Sequence, residues 1–244
     1  MAAEDAKRRL VAVARGESPA DLVLANARIV NTLNGEIETG DVAISGGRVA
    51  GVGDYREAAE IIDLEGAYLA PGLINGHTHL ESSMLDVGQY ARAVVPRGTS
   101  AIVTDLHEIA NVCGLAGIRY ILDTARRLPF DLFLMAPSCV PATHLETSGA
   151  SIGPDEIRKI LRYRGCLGLG EVMNYPGVLA GDPAMLAKLA AARGKVIDGH
   201  APGLTGRDLA AYIAAGIQSD HESVTAAEGE EKLRRGLYLM IREG

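Results

Sequence analysis

The 244-residue chain has no tryptophan, and aromatic residues make up only 4% of it. That excludes the stacked aromatic platform on which single-stranded nucleic acid is usually bound. Positive charge is also short: 24 Lys+Arg stand against 31 Asp+Glu, a formal charge of −7. Binders of nucleic acid or of anionic membrane surfaces carry the opposite balance. Cysteine is sparse and odd in number, at Cys113, Cys139 and Cys166, with no C-x-x-C pair. This argues against a disulfide framework and against a cysteine-based zinc site. It fits a cytoplasmic protein whose cysteines are small core residues. The start, MAAEDAKRRLVAVARG, lacks the apolar stretch of a secretory signal. Long hydrophobic runs are missing too: the longest uncharged stretch, 132–145, is interrupted by Pro137 and Pro141 and is too short to span a bilayer.

What is present is ordinary globular composition, 48% hydrophobic and 23% charged. The length allows one or two domains with an ample core. Residues 4–15 predict a short amphipathic helix closed by Gly16. The runs 21–30, 40–54 and 60–69 are rich in Val and Ile, alternate with polar residues and are punctuated by Gly. They read as short antiparallel strands with tight turns. A sheet this small cannot bury both faces by itself. Residues 1–67 are therefore expected to form a helix and a small β-sandwich-like domain that needs a partner surface.

From residue 68 strand-like runs alternate with helical ones. Strands are expected at 68–76, 99–105, 130–137, 166–172, 195–200, 216–221 and 236–242. Helices are expected between them at 86–96, 114–128, 154–164, 182–193, 205–215 and 225–235. Gly153-Pro154-Asp155-Glu156 and Gly181-Asp182-Pro183 are helix starts, with Pro or acid in the first turn. Such alternation implies a parallel sheet covered by helices. The expected fold is α/β: a (β/α)8 TIM-type barrel over 68–244, incomplete at about seven strands and lacking strand eight. A full barrel of this kind takes about 250 residues.

In such barrels the active site lies at the C-terminal ends of the strands. There the sequence places His77 and His79, then Glu171, His200 and His221. In H-x-H on an extended segment both side chains point to one face, so the pair can bind one ion together. Imidazole with carboxylate is a ligand set for Zn, Mn, Fe or Ni. Singly, each of these residues could equally be a hydrogen-bonded core group, a salt-bridge partner or a helix cap. Their gathering at strand ends is what points to metal.

PGLINGHTHLESSML (71–85) resembles the first-strand signature of the amidohydrolase superfamily. TDLHEIANVCG (104–114), GLGEVMNYPGV (168–178), DGHAPGL (198–204) and SDHESV (219–224) are similar, in order, to its bacterial adenine deaminases. The resemblance implies two divalent metal ions, Mn or Fe, with Zn as a further option. His77 and His79 would hold one, His200 and His221 the other, and Glu171 would bridge them. It implies a small-molecule purine substrate, deaminated by a hydroxide that the metals generate, and a homodimer. Glu171, His200 and His221 would serve catalysis. An aspartate that relatives use at the end of strand eight falls outside the seven strands, so a longer chain carrying it is expected to be more active. Glu81, His107, Glu108 and Glu222 are candidate substrate contacts, with salt-bridge, helix-start and surface roles as the alternatives. Asn111 and His144 share that uncertainty of role. Asp105 and Asp220 read as supports of the ligands or as helix caps. Opening of a cyclic amide, and metal binding without turnover, are the competing functions.

Overall fold

The computed structural model describes residues 3–143 and 145–242. His144 lies outside the described residues. The chain divides between Pro71 and Gly72 into two compact units.

The first unit opens with helix α1 (Ala3–Ala14), followed by β1 (Ala20–Val30), β2 (Ile37–Ser45), β3 (Arg48–Gly53), β4 (Ala58–Asp63) and β5 (Tyr68–Leu69). These strands form one sheet in the order β3-β2-β1-β4, with β5 also on β1. The expected two-layer sandwich is thus corrected to a single sheet, packed with α1 around a small core of Val13, Ala20, Val23 and Ala43. The expected all-antiparallel pairing is corrected as well. β2 runs antiparallel to β1 and β3, but β4 and β5 run parallel to β1. The run 40–54 is an antiparallel hairpin, turned by Gly46 and Gly47 at positive φ. Tyr68 and Leu69, read as the start of the first barrel strand, pair instead with Arg28 and Ile29 of β1.

The second unit alternates strand and helix. It contains β6 (Leu73–Thr78), α2 (Val87–Val94), β7 (Thr99–Thr104), α3 (His107–Ala125), β8 (Asp131–Pro137) and α4 (Pro154–Ile160). It continues with β9 (Cys166–Val172), α5 (Tyr175–Leu179), α6 (Pro183–Ala191), β10 (Val196–Gly199), α7 (Gly206–Ala214), β11 (Ser219–Asp220), α8 (Ala226–Arg234) and β12 (Tyr238–Leu239). Strands β6 to β10 form one parallel sheet in sequence order. The last two expected strands do not join it as full members. They shrink to β11 and β12, a parallel pair of two residues each. The Gln218 N–H still donates to the Ile197 carbonyl at 2.9 Å, so the curl of the sheet continues toward that pair. The result is a half-barrel, with β6 and β10 as the edges of its main sheet. At the β6 edge, Leu73 and Ile74 are exposed.

One core holds this unit together. Ile102, Leu134, Leu169 and Ile197 point from the strands toward Ile118, Ile157, Ile160, Leu209 and Tyr212 of the helices. Each fully buried side chain of this size contributes about 1.5–3 kcal/mol. The helices start where their caps predict. Asp86 accepts from the Gly88 N–H, Asp182 from the Met185 N–H and Thr225 from the Glu228 N–H. Helix α3 begins at His107 rather than at 114. Gly114 has φ 56 and ψ −143, a kink inside α3 that resembles a helix start in the sequence. Within β9 glycine is required by close approach. A Cβ at Gly168 would lie 2.0 Å from the Val196 carbonyl oxygen, and one at Gly170 would lie 2.6 Å from the Asp105 Cβ. The glycines let β9 sit tightly between its neighbours and so fix where Glu171 projects.

Candidate metal centre

Four strand ends bring the centre together. His77 lies in β6 and His79 just after it, Glu171 lies in β9, His200 follows β10 and His221 follows β11. Alternation along each strand aims these side chains at one point. Glu171 is its hub. Its Oε1 lies 2.7 Å from His77 Nε2, 2.9 Å from His79 Nε2 and 3.0 Å from His221 Nε2. Its Oε2 lies 3.8 Å from His200 Nδ1 and 3.8 Å from His107 Nδ1. The His77 and His221 rings stack with centroids 3.8 Å apart. Glu171 and His221 are buried, whereas the side chains of His79, His107 and His200 are 17%, 21% and 26% exposed. The cluster is therefore open to solvent on that side.

Carboxylates hold the rings from behind. Asp198 Oδ2 lies 3.3 Å from His77 Nδ1. Asp105 Oδ1 lies 3.1 Å from His79 Nδ1 and 2.9 Å from His107 Nδ1. Each support fixes a ring's orientation and leaves Nε2 of His77 and His79 facing Glu171. Burial pushes the Glu171 carboxyl up, but His221, His77 and His79 outweigh burial and hold it far below the usual carboxylate range. Burial lowers the pKa of His77, yet Asp198 and Glu171 raise it on balance to about 9. Burial likewise opposes protonation of His79, and Asp105 and Glu171 overcome it, giving about 10. At His200 burial prevails and the pKa falls.

The donor set fits divalent metal. His77, His79 and Glu171 offer ligand atoms within 4.8 Å of one another, as do Glu171, His200 and His221. The Nε2 atoms of His77 and His79 face each other at 3.2 Å, an arrangement that a shared cation satisfies. Among the described residues, the buried Nδ1 atoms of His200 and His221 have no hydrogen-bond partner. Nitrogen and carboxylate oxygen in this number suit Zn, Mn or Fe. The clustered side chains thus make a candidate metal-dependent active site.

The other candidates take different places. His107 sits beside the cluster through Asp105. Glu81 is largely buried and accepts the Ile109 N–H at 3.5 Å, while its other oxygen is buried without a partner. Burial raises its pKa. Glu108 accepts from the Ser82 hydroxyl, and Glu222 pairs with Arg242. Asp105 holds the rings of His79 and His107. Asp220 accepts the Ala201 N–H at 2.8 Å and the Lys232 ammonium at 2.8 Å. Cys139 and Cys166 are buried, but Cys113 is exposed on α3 and is not a core residue.

Sequence reasoning missed Asp198, though it precedes His200 by two residues as His77 precedes His79. That spacing was the available signal. Lys232 was missed too. It is fully buried, with its Nζ 2.7 Å from Glu228 Oε1 and 2.7 Å from the Ala201 carbonyl. No helix of the described chain is long and apolar enough to cross a membrane.

Known proteins show the same pattern. The chain is 63% identical over 236 residues to an adenine deaminase of Dehalococcoides mccartyi strain CBDB1, and 55% identical over 235 residues to adenine deaminase 2 of Carboxydothermus hydrogenoformans. The matches cover 97% and 96% of this chain but only 41% of each relative. Among solved structures, an N-acyl-D-glutamate deacylase from Bordetella bronchiseptica shares the fold with TM-score 0.63 at 15% identity, over 92% of this chain and 58% of its own. A metal-dependent hydrolase from Pyrococcus horikoshii shares it with TM-score 0.60 at 12% identity, over 90% of this chain and 74% of its own. Residues 68–244 match the amidohydrolase family profile, a span that includes the half-barrel and its histidine cluster: the chain belongs to the amidohydrolase family.

Proposed function

We propose that this chain carries the metal centre of a hydrolase that converts adenine and water to hypoxanthine and ammonia. The observation that carries the reading is the convergence of four imidazoles on Glu171, in a chain so similar to adenine deaminases. Two divalent ions, Mn or Fe, would be held by His77 with His79 and by His200 with His221, with Glu171 shared between them. Ions so held would lower the pKa of a water toward neutrality and so make hydroxide available to the purine carbon that bears the amino group. The protein's own groups hold and orient the ligands. Glu171, fixed in the ionised state, sets the spacing of the histidines. Asp198 and Asp105 keep His77 and His79 oriented. Asp220 is tied to Lys232 and cannot readily carry protons. His107 stands on the open side, where a purine would enter, and with Glu81, Glu108 and Glu222 it makes the set of substrate-contact candidates. A cytoplasmic location, a small-molecule purine as partner and a homodimer complete the reading.

The exposed β6 edge favours a second reading, metal binding without turnover by this chain alone. One experiment separates the two. The chain is loaded with Mn or Fe, and ammonia release from adenine is followed beside ring opening of a dihydropyrimidine. Ammonia from adenine supports the proposal. Ring opening alone, or two bound metals per chain with no turnover, overturns it.

A further inference from the structure

A second cluster of charge lies at the other end of the strands. The segments that lead into β8 and β9 meet the C-terminal half of α3 there. Between them is a cavity of about 370 Å³ lined by Arg119, Arg126, Arg162 and Arg164, with Asp123 as its acid. It adjoins a second cavity of about 440 Å³ that shares Arg126 and Arg164 and adds Asp131. Four guanidinium groups on one concavity are conspicuous in a chain whose net charge is −7.

The arginines are poorly compensated. Arg126 pairs with Asp123 at 2.9 Å. Among the described residues, Arg119, Arg162 and Arg164 form no ion pair. Arg119 is held instead by Tyr163: its Nε donates to the phenolic oxygen at 3.1 Å, and the guanidinium lies 5.8 Å from the ring centroid. Four like charges gathered beside only Asp123 and Asp131 repel on balance, so this grouping does not serve stability. In a barrel the N-terminal face is ordinarily the stabilising one. Planar guanidinium forks are the groups that best match phosphate oxygens, and a held fork loses less freedom on binding.

We propose that this cavity binds a phosphate-bearing small molecule, with Arg162 and Arg164 as the free forks and Arg119 as the preset one. Its volume fits a small ligand, and the acidic remainder of the chain repels a long polyanion. The metal centre plays no part in this site.

Calorimetric titration of the whole chain with inorganic pyrophosphate, at constant ionic strength, tests it. Saturable binding is expected. Arg162→Gln with Arg164→Gln should weaken it about tenfold or more, since each removes charge-assisted hydrogen bonds. The double Lys variant should restore part of it, and Arg56→Gln in the first unit should leave it unchanged. Cytidine diphosphate identifies the source. Tighter binding than pyrophosphate assigns the site to a nucleotide, and equal binding assigns it to the free anion. Absence of saturable binding overturns the proposal. So does equal binding by wild type and the double Gln variant, as phosphate held at the histidine cluster would give.

Discussion

At the scale of single residues, Glu171 and Asp198 do different work on the same histidine. Glu171 Oε1 meets His77 Nε2 at 2.7 Å, on the side where a metal would be held. Asp198 meets Nδ1 of the same ring at 3.3 Å, on the far side, and its other oxygen accepts from the Ser219 hydroxyl. The two should separate in mutants. His77→Ala or Glu171→Gln is expected to abolish metal loading at one or both sites, read by elemental analysis. Unchanged metal content in both variants would remove the proposed ligand set. Asp198→Asn keeps every ligand and loosens one ring, so metal affinity should fall about 10–100-fold while content at saturation is retained. A chelator competition measures that, and an unchanged affinity would reduce Asp198 to a strand-packing group. The five clustered side chains were legible in the sequence because each sits at a strand end and histidine is rare here, with six in the chain. Asp198 was harder to read, because its spacing to His200 marks the strand end but does not say that its carboxylate faces His77, in a strand far earlier in the chain.

Helix α8 shows what a linear reading loses at the scale of elements. Its sequence, AAEGEEKLR, reads as a solvated face of mixed charge. In the structure Glu228 and Lys232 face inward and form a buried network with Asp220. The network also fixes the loop after β10, because Asp220 accepts the Ala201 N–H and Glu228 accepts the Gly203 N–H, each at 2.8 Å. A helix far from the chemistry thereby positions both His200 and His221. Lys232→Met leaves two carboxylates facing each other without a cation. A loss of roughly 3–5 kcal/mol in unfolding free energy is expected, as for other broken buried pairs. Chemical denaturation checks this, and a loss near zero would show that the network is not needed. The pH dependence follows from the same groups. Burial pushes Glu228 up, but Lys232 and two backbone N–H groups hold it below the usual value of 4.5. A folded-state pKa below the unfolded one stabilises above the unfolded value and loses that effect as pH falls through the folded one. The Glu228 contribution, read as the difference in thermal stability between the parent chain and Glu228→Gln, should thus be flat near neutrality and drop below about pH 4.5, where the unfolded glutamate starts to take up protons. Glu228→Gln should flatten that acid slope.

Two separate cores set the behaviour of the whole molecule. The first unit gathers Val13, Ala20, Val23 and Ala43, all small or branched side chains. The second gathers a long series from Leu80 to Leu237 that includes Ile118, Ile157 and Tyr212. The change of texture near residue 68 was legible because strand-only patterning gives way there to strand–helix alternation. The sheet's incompleteness was legible only as a count of strands. That the last two strands would shrink to two-residue pairs was not, since pairing length depends on neighbouring strands that a linear pattern does not show. The sequence-level pattern also could not show that β4 and β5 return parallel to β1, because both pairings use the same alternation. Separate cores and unequal burial predict two unfolding steps, the first unit melting below the second. Metal tests the assignment, because a ligand that binds only the folded state stabilises by mass action, about 2.7 kcal/mol at 100 times its Kd. His77, His79, Glu171, His200 and His221 all belong to the second unit. Calorimetric scans with rising Mn are therefore expected to move the second transition upward and leave the first in place. A single transition that shifts as one would mean that the units unfold together, and that the small core draws its stability from the half-barrel.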